Sequence, residues 1–288
     1  MNNHRHQFPI VKMCKVLGVS KSGYYAWLKR KPSSRSIENG QLIEQIVEIH
    51  QQSGQTYGSP RVTRELQARG CRCSRPRVAR LMRKAQIRSK VARKFVVTTD
   101  SEHDFEFSPN LLARDFRTGE LARAWVSDIT YIATAKGWLY LTVVIDLGDR
   151  RVIGWAMSSG MKASQTVIPA LQMALKNRTP RQGTIFHSDR GIQYSCDEFR
   201  NVLSRTPQIQ QSMSRKGDCW DNAVAESFFK SLKVEAIYGN KFHDRTHASN
   251  IVFEYIEMWY NRFRRHQALG YMSPEQFAAT IIQDQNAA

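Results

Sequence analysis

The order of apolar and polar positions divides the chain into a helical first third and a longer part that opens with strands. Ile10–Leu17 is apolar at helical spacing and stops at Gly18, and Ser20 then caps a short helix carrying Tyr24, Tyr25, Trp27 and Leu28. Lys29 to Arg35 reads as a linker. Leu42, Ile43, Ile46, Val47 and Ile49 stripe a third helix that ends before the Ser53–Ser59 turn. Ser59-Pro60 predicts a cap followed by proline at the first helical position, with Val62, Leu66 and Ala68 on a helix that stops at Gly70. The spacing predicts a further helix over Ser74–Lys84. Val78, Leu81 and Met82 point inward there, and Arg75, Arg77, Arg80, Arg83 and Lys84 outward.

From Ala122 the period changes. Trp125–Ile132, Trp138–Ile145 and Arg151–Ser158 read as an antiparallel meander, turning at Ala135-Lys136-Gly137 and Gly148-Asp149. A helix over Ala163–Leu175, a strand over Thr184–His187, a helix over Cys196–Leu203, a strand over Ile209–Met213 and a helix over Asn222–Val234 follow. That order predicts an α/β fold: a ribonuclease-H-like core, with a five-stranded mixed sheet and helices on its faces, preceded by a small all-α helix-turn-helix region. The division is 1–35 a short helical, partial helix-turn-helix segment, 36–95 a basic helix-turn-helix domain, 96–121 a linker, and 122–284 the core with C-terminal helices.

Charge sharpens this picture. Of the 43 Lys and Arg, 21 lie in residues 1–94, against four of the 25 acids, so nearly all of the +18 net charge sits in the first third. Such a composition points to nucleic acid, and two short helices with an Arg-rich second one suit a DNA major groove. The alternative is a helical bundle with a solvated basic face. No apolar run reaches the roughly 18 residues of a membrane span, and the N-terminus lacks an apolar signal core, so a cytoplasmic protein is expected. Five scattered cysteines, none in a C-x-x-C pair, support neither a zinc site nor a disulfide framework.

Three carboxylates stand where chemistry could use them. Asp128 interrupts an apolar strand, Asp189 follows the C-terminal end of another, and Glu226 lies on the helix after the last strand. An acid inside a buried strand is costly unless paired or bound to a cation. If the first and fourth strands are neighbours, Asp128 and Asp189 meet, and oxygen-only ligands favour Mg²⁺ or Mn²⁺. Two such ions would suit phosphodiester chemistry.

Four segments then carry a resemblance: Trp125-Val-Ser-Asp128-Ile-Thr-Tyr-Ile132, Phe186-His-Ser-Asp189-Arg-Gly-Ile-Gln-Tyr194, Ser212-Met-Ser-Arg-Lys-Gly217 and Trp220-Asp-Asn-Ala-Val-Ala-Glu226-Ser-Phe-Phe-Lys230. With Tyr57-Gly-Ser-Pro-Arg61, Val78-Ala-Arg-Leu-Met82 and the tail Tyr260-Asn-Arg-Phe-Arg-Arg-His266-Gln-Ala-Leu-Gly270-Tyr-Met-Ser-Pro274, the chain resembles the DDE transposases of the "insertion-sequence three" family, specifically the second-frame catalytic protein with its retroviral-integrase-like core. The resemblance implies that Asp128, Asp189 and Glu226 are catalytic and bind metal, Mg²⁺ with Mn²⁺ as substitute. The second spacing is one residue longer than usual, and the extra residue is assigned to the Thr206-Pro207-Gln208 loop. It implies binding of the element's inverted-repeat ends, strand cleavage, and transfer of the freed 3′-hydroxyl to target DNA in the bacterial nucleoid. It also implies at least a homodimer on DNA, and a companion first-frame protein or a fusion with it.

Expected DNA contacts are Arg75, Arg77, Arg80, Arg83, Lys84, Arg190, Lys216, Lys230, Lys233, Arg264 and Arg265. Lys230 and Lys233 follow Glu226 on one helix face, where an i,i+4 ion pair is the alternative. His187 and Arg190 either touch phosphate or scaffold their loop. Asp146 ends a strand and reads as structural, and capping accounts for at least one of Asp218 and Asp221. Trp259 and Tyr260 read as core. Two rival functions stay open: a catalytically decayed protein that only binds element ends, and a ribonuclease-H-type nuclease.

Overall fold

The computed structural model describes residues 1–90, 107–116, 118–215 and 219–287. The first helices are α1 (Ile10–Val16) and α2 (Lys21–Lys29), the latter capped by Ser20, whose hydroxyl accepts from Gly23 N. Helix α3 (Ser34–Gln52) begins inside the stretch that reads as a linker, because Ser33 accepts from Ser36 N and caps it just after Pro32. In α4 (Ser59–Ala68) the cap is Gly58 rather than Ser59; Ser59 and Pro60 are the first two helical residues. Helix α5 (Arg75–Lys84) completes the unit. Leu42, Ile46 and Ile49 of α3 pack with Val62 and Leu66 of α4 and with Val78, Leu81 and Met82 of α5.

The sheet comprises β1 (Ala124–Thr134), β2 (Gly137–Asp146), β3 (Val152–Ser158), β4 (Thr184–Ser188) and β5 (Ile209–Met213), in the spatial order β3-β2-β1-β4-β5. The meander β1–β2–β3 is antiparallel, and β4 and β5 run parallel to β1. This is the mixed, ribonuclease-H-like sheet that the order of elements predicts. The helix expected over 163–175 is split. A 3₁₀ turn at Ala163–Gln165 gives way to α6 (Val167–Asn177) through Thr166, whose φ of −122° and ψ of −84° lie outside the helical region. A single turn α7 (Ile192–Ser195), α8 (Asp197–Ser204) and α9 (Ala223–Leu232) follow, the last running on into π-helical turns at Lys233–Ile237. Helix α10 (Arg245–Phe253) also runs into π turns, Glu254–Tyr260, and α11 (Pro274–Ala287) ends the described chain.

Strand alternation assigns the two faces of the sheet. Val126, Ile132, Leu141, Val143 and Ile145 face α9 and α10, against Phe228, Leu232, Val252 and Ile256. Trp125, Val144 and Ile153 face α6 and α8, against Val167, Leu171, Phe199 and Leu203. Trp259 packs both on the first of these clusters and on the helical unit's core. Among the described residues, no helix is long and apolar enough to cross a membrane.

Candidate active site

Strand β1 pairs with β2 along its whole length, but with β4 only over Ala124–Val126. Val126 stands opposite His187, so Asp128, in β1, and Asp189, the first residue past β4, each follow that pair by two residues. The ladder has ended there, which leaves an opening at the level of the two carboxyls. The apolar side of α9, Ala225, Phe228, Phe229 and Leu232, is buried, while Glu226 in its first turn is exposed.

The electrostatics of the three acids are linked. The half-buried Asp128 carboxyl is pushed well above its ordinary range, first by the protein packed around it and then by the charge of Asp189; Glu226 adds to the shift, and Ile129 N–H, which donates to Oδ1 at 2.8 Å, opposes it. Partial desolvation against the protein raises Glu226 as well, although much of the side chain reaches solvent. Asp189 Oδ1 accepts from Gly191 N at 3.0 Å. Among the described residues no three His, Cys, Asp or Glu side chains converge tightly enough to hold an ion as they stand. The donor set nevertheless fits a hard cation: all ligands are oxygen, and the mutual repulsion of the acids is what a divalent ion would relieve.

Behind Asp128 lies a polar scaffold that sequence reasoning missed. The Tyr194 hydroxyl shares a 2.7 Å hydrogen bond with Ser127 Oγ, and Asn222 Nδ2 donates to Ser127 O at 3.1 Å. Burial, then Asp128 and Asp189, raise the Tyr194 phenol, so it stays protonated. His187 is fully buried, 2.8 Å from Ser212 Oγ and 3.1 Å from Ser214 Oγ, and burial lowers it to about 4. It scaffolds the junction of β4 and β5 as a neutral ring. Arg190 Nε donates to Ser214 O at 2.8 Å, with its guanidinium over the Phe107 ring.

Other acids are structural. Asp146 is fully buried, accepts from Ala122 N and Gly148 N, and lies 3.2 Å from Arg178, which also holds Asp149 at 2.6 Å. Asp221 does not cap α9, whose N-cap is Asn222. It is buried as the shared acceptor of Arg215, Arg114 and Asn110, and the Arg215 hydrogen bonds hold its pKa far below the carboxylate range. In sequence it looked like a cap because it stands just ahead of a helix. Asp218 lies outside the described residues.

The basic residues divide by what they touch. Arg75, Arg80, Arg83 and Lys84 of α5 are exposed, whereas Arg77 pairs with Glu38 and donates to Asn39. Lys230 is exposed, and the Lys233 ammonium lies 5.5 Å from the Tyr131 ring centroid. Burial lowers Lys233, with Tyr131 and Asp128 drawing it back up. Arg264 and Arg265, which the sequence puts among the DNA contacts, are instead held in ion pairs. Arg264 is only 5% exposed, with both Glu235 oxygens within 3.1 Å, and Arg265 Nε is 2.6 Å from Glu65. Lys216 lies outside the described residues.

Residues 121–219 and 226–280 match the integrase core domain family, and residues 38–95 match the HTH-like domain family. The chain is 44% identical over 279 residues to transposase InsF for insertion sequence IS3A of Escherichia coli K12, covering 96% of each protein. It is 42% identical to an uncharacterized 31 kDa protein of insertion element IS600 from Shigella sonnei, over 92% of this chain and 97% of that one. Among solved structures it is similar to a chain of a simian T-cell lymphotropic virus intasome in complex with a PP2A regulatory subunit (TM-score 0.46, 14% identity, 81% of this chain and 73% of that chain). It is also similar to the catalytic core domain of BIV integrase (TM-score 0.42, 16% identity, 57% of this chain and 99% of that chain). With near-full-length identity of this order to transposase InsF, an HTH-like region and an integrase core, the chain belongs to the IS3 transposase family.

Proposed function

We propose that the chain is a DDE polynucleotidyl transferase. It cuts one strand at the inverted-repeat ends of its element and transfers the freed 3′-hydroxyl to a phosphodiester of target DNA, in the bacterial cytoplasm on nucleoid DNA. The observation that carries this reading is the placement of Asp128 and Asp189, each two residues past the last β1–β4 pair, where their like charges repel and Glu226 adds to the repulsion. Asp128, Asp189 and Glu226 would hold Mg²⁺, or Mn²⁺ in its place, as two ions. When bound, the metal would polarise the phosphodiester and ease deprotonation of the attacking oxygen.

The chain's own residues bind and orient. Tyr194 and Asn222 fix the backbone and side chain of Ser127, and so the strand carrying Asp128. His187, Ser212 and Ser214 fix the end of β4 from which Asp189 projects. Arg190, Lys230 and Lys233 supply positive charge near the triad for the scissile strand's phosphates, and Arg75, Arg80, Arg83 and Lys84 give α5 a cationic face for the element end. Arg264 and Arg265 are left out, since Glu235 and Glu65 already hold them. Residues 36–95 recognise DNA and residues 122–284 catalyse, joined through 96–121. Two DNA ends need two active sites, so at least a dimer assembles on DNA, with a companion first-frame protein or in fusion with it.

The test is incubation of the protein with an oligonucleotide carrying its element's end and supercoiled target DNA, with Mg²⁺ or EDTA, beside an Asp189→Asn variant. Metal-dependent joining that the variant loses is the expected result. Nicking without joining points to a ribonuclease-H-type nuclease, and binding without chemistry to a protein that only occupies element ends.

A further inference from the structure

The β1–β2 hairpin runs on past the point where β4 stops pairing, and its free end carries two large aromatics that belong to none of the buried clusters. Tyr131 is 43% exposed and Trp138 48%. Tyr131 stands opposite Tyr140, so Trp138 is its diagonal neighbour on the same face of the hairpin. The two rings meet edge to face, with centroids 4.9 Å apart. Cations stand near the pair. The Lys233 ammonium lies 5.5 Å from the Tyr131 centroid, and Arg245 Nε donates to Trp138 O at 2.9 Å. Lys136 is exposed at the turn. The Arg245 guanidinium lies so close to Gly137 (φ +100°) that a Cβ there would meet it at 2.7 Å, so the tip of the hairpin is held rather than loose.

Cations flanking open aromatic rings select an anion that also offers a flat π face, which is a nucleotide rather than an inorganic anion or an acidic peptide. A base inside a duplex offers no such face, because its neighbours cover both sides. Asp128 and Tyr131 point to opposite faces of β1, and Lys233, drawn by both, stands at the strand edge that β4 leaves unpaired beyond Val126. Along the strand Asp128 and Tyr131 are three residues apart, about 10 Å at ~3.3 Å per residue. That is roughly three nucleotide steps of 3.4 Å along one DNA strand.

We propose that Tyr131 and Trp138 form a stacking platform that receives one base of the DNA end, unpaired from its duplex, within about three nucleotides of the phosphodiester held at Asp128. This rests on the reading of Asp128 as a catalytic position. Neighbouring phosphates lie against Lys233 and Lys136. Stacking reads no base edge, so the platform tolerates any base. By withdrawing a base it frays the end and lets the strand bend into the site.

The experiment uses the full chain and an element-end duplex with 2-aminopurine substituted singly at each of the last several nucleotides. Its readouts are fluorescence, anisotropy for binding, and joining to target DNA. Tyr131→Ala, Trp138→Ala and Trp138→Phe run beside the wild type. The expected result is a severalfold fluorescence change at one position within three nucleotides of the cleavage site, kept by W138F and lost by Y131A and W138A. Joining by W138A falls by about tenfold, and it recovers on a duplex whose terminal pairs are mismatched, since such an end is already frayed. A merely misfolded variant would not be rescued in that way. The platform is overturned if W138A gives the wild-type fluorescence change, or if the wild type joins ends with no fluorescence change at any position. A wild type that joins nothing in Mg²⁺ overturns the catalytic reading, and the platform with it.

Discussion

Arg265 Nε lies 2.6 Å from Glu65 Oε2, tying helix α4 to the segment after the second π-helical stretch across 200 positions of sequence. Beside this pair, the Tyr57 hydroxyl accepts from Arg265 N at 2.8 Å and donates to Phe263 O at 3.3 Å, and the Tyr57 ring lies 5.7 Å from that of Trp259. The basic helical unit is thus seated on the C-terminal part of the core. Both charged side chains are partly buried, so the pair should contribute more than an exposed one. A Glu65→Gln/Arg265→Gln double-mutant cycle in urea unfolding is expected to give a coupling of about 1–2 kcal/mol. Additive single-mutant effects would mean that the Tyr57 contacts alone seat the unit.

Gly154 in β3 is set by close packing rather than by backbone conformation. A Cβ there would run into Ala170 O and meet Ala174 N at 2.7 Å, both backbone atoms of α6. These atoms cannot swing aside as a side chain would, so Gly154→Ala must push α6 off the sheet. It should destabilise the chain by about 1–3 kcal/mol, seen as an earlier urea midpoint at unchanged slope. An unchanged midpoint would show that α6 slides freely on β3.

Much of this architecture was legible because its determinants are local. Strand alternation at Trp125–Ile132, the cap at Ser20 and the stripe Val78, Leu81, Met82 each depend on neighbours in sequence, and each element forms where its pattern stands. Asp128 was conspicuous as an acid in an apolar strand. What escaped depends on distant partners. Nothing near Arg264 announces that Glu235, 29 residues earlier, will bury it, and nothing near Asp221 announces Arg114, 107 residues earlier. Arginine clusters and pre-helix acids look alike in sequence whether they end in solvent or in an ion pair. The seating of Tyr57 on Trp259 is likewise a tertiary fact without a local signature.

The repulsion within the triad predicts a trade between stability and function. The folded-state pKa of Asp128 is raised, so its favourable contribution is present below the unfolded value and is lost as pH rises through the folded one. At pH 7 without metal the Asp128 carboxyl therefore costs stability. Asp128→Asn is expected to raise the thermal midpoint in EDTA while lowering joining by on the order of 10²–10³-fold or more. Mg²⁺ should raise the midpoint of the wild type and leave that of the variant in place. An equal Mg²⁺ response in both proteins would place the ion elsewhere.

Acid stability is expected to follow two buried neutral histidines. His266 is lowered to about 2 by burial and by the charges of Arg264, Arg61 and Arg150, and His187 to about 4 by burial. Both depressed values mean that the unfolded chain takes up its protons first, near the ordinary 6.5. The stability these neutral rings carry is complete above pH 6.5 and falls as pH drops toward the folded values. At about 1.4 kcal/mol per pH unit for a full proton, His266 alone accounts for about 2 kcal/mol between pH 6.5 and 5. Buried carboxyls act in the opposite sense: Asp146, pushed up to about 6 by burial and by Asp149, and Asp128 take up protons in the folded chain as pH falls. His266→Gln keeps a polar side chain beside Arg264 but cannot titrate. Its unfolding free energy should therefore fall by about 2 kcal/mol less than that of the wild type from pH 7 to 5, a difference that the other titrating groups, common to both proteins, do not alter. An unaltered slope in the variant would show that His266 takes up its proton without unfolding the chain.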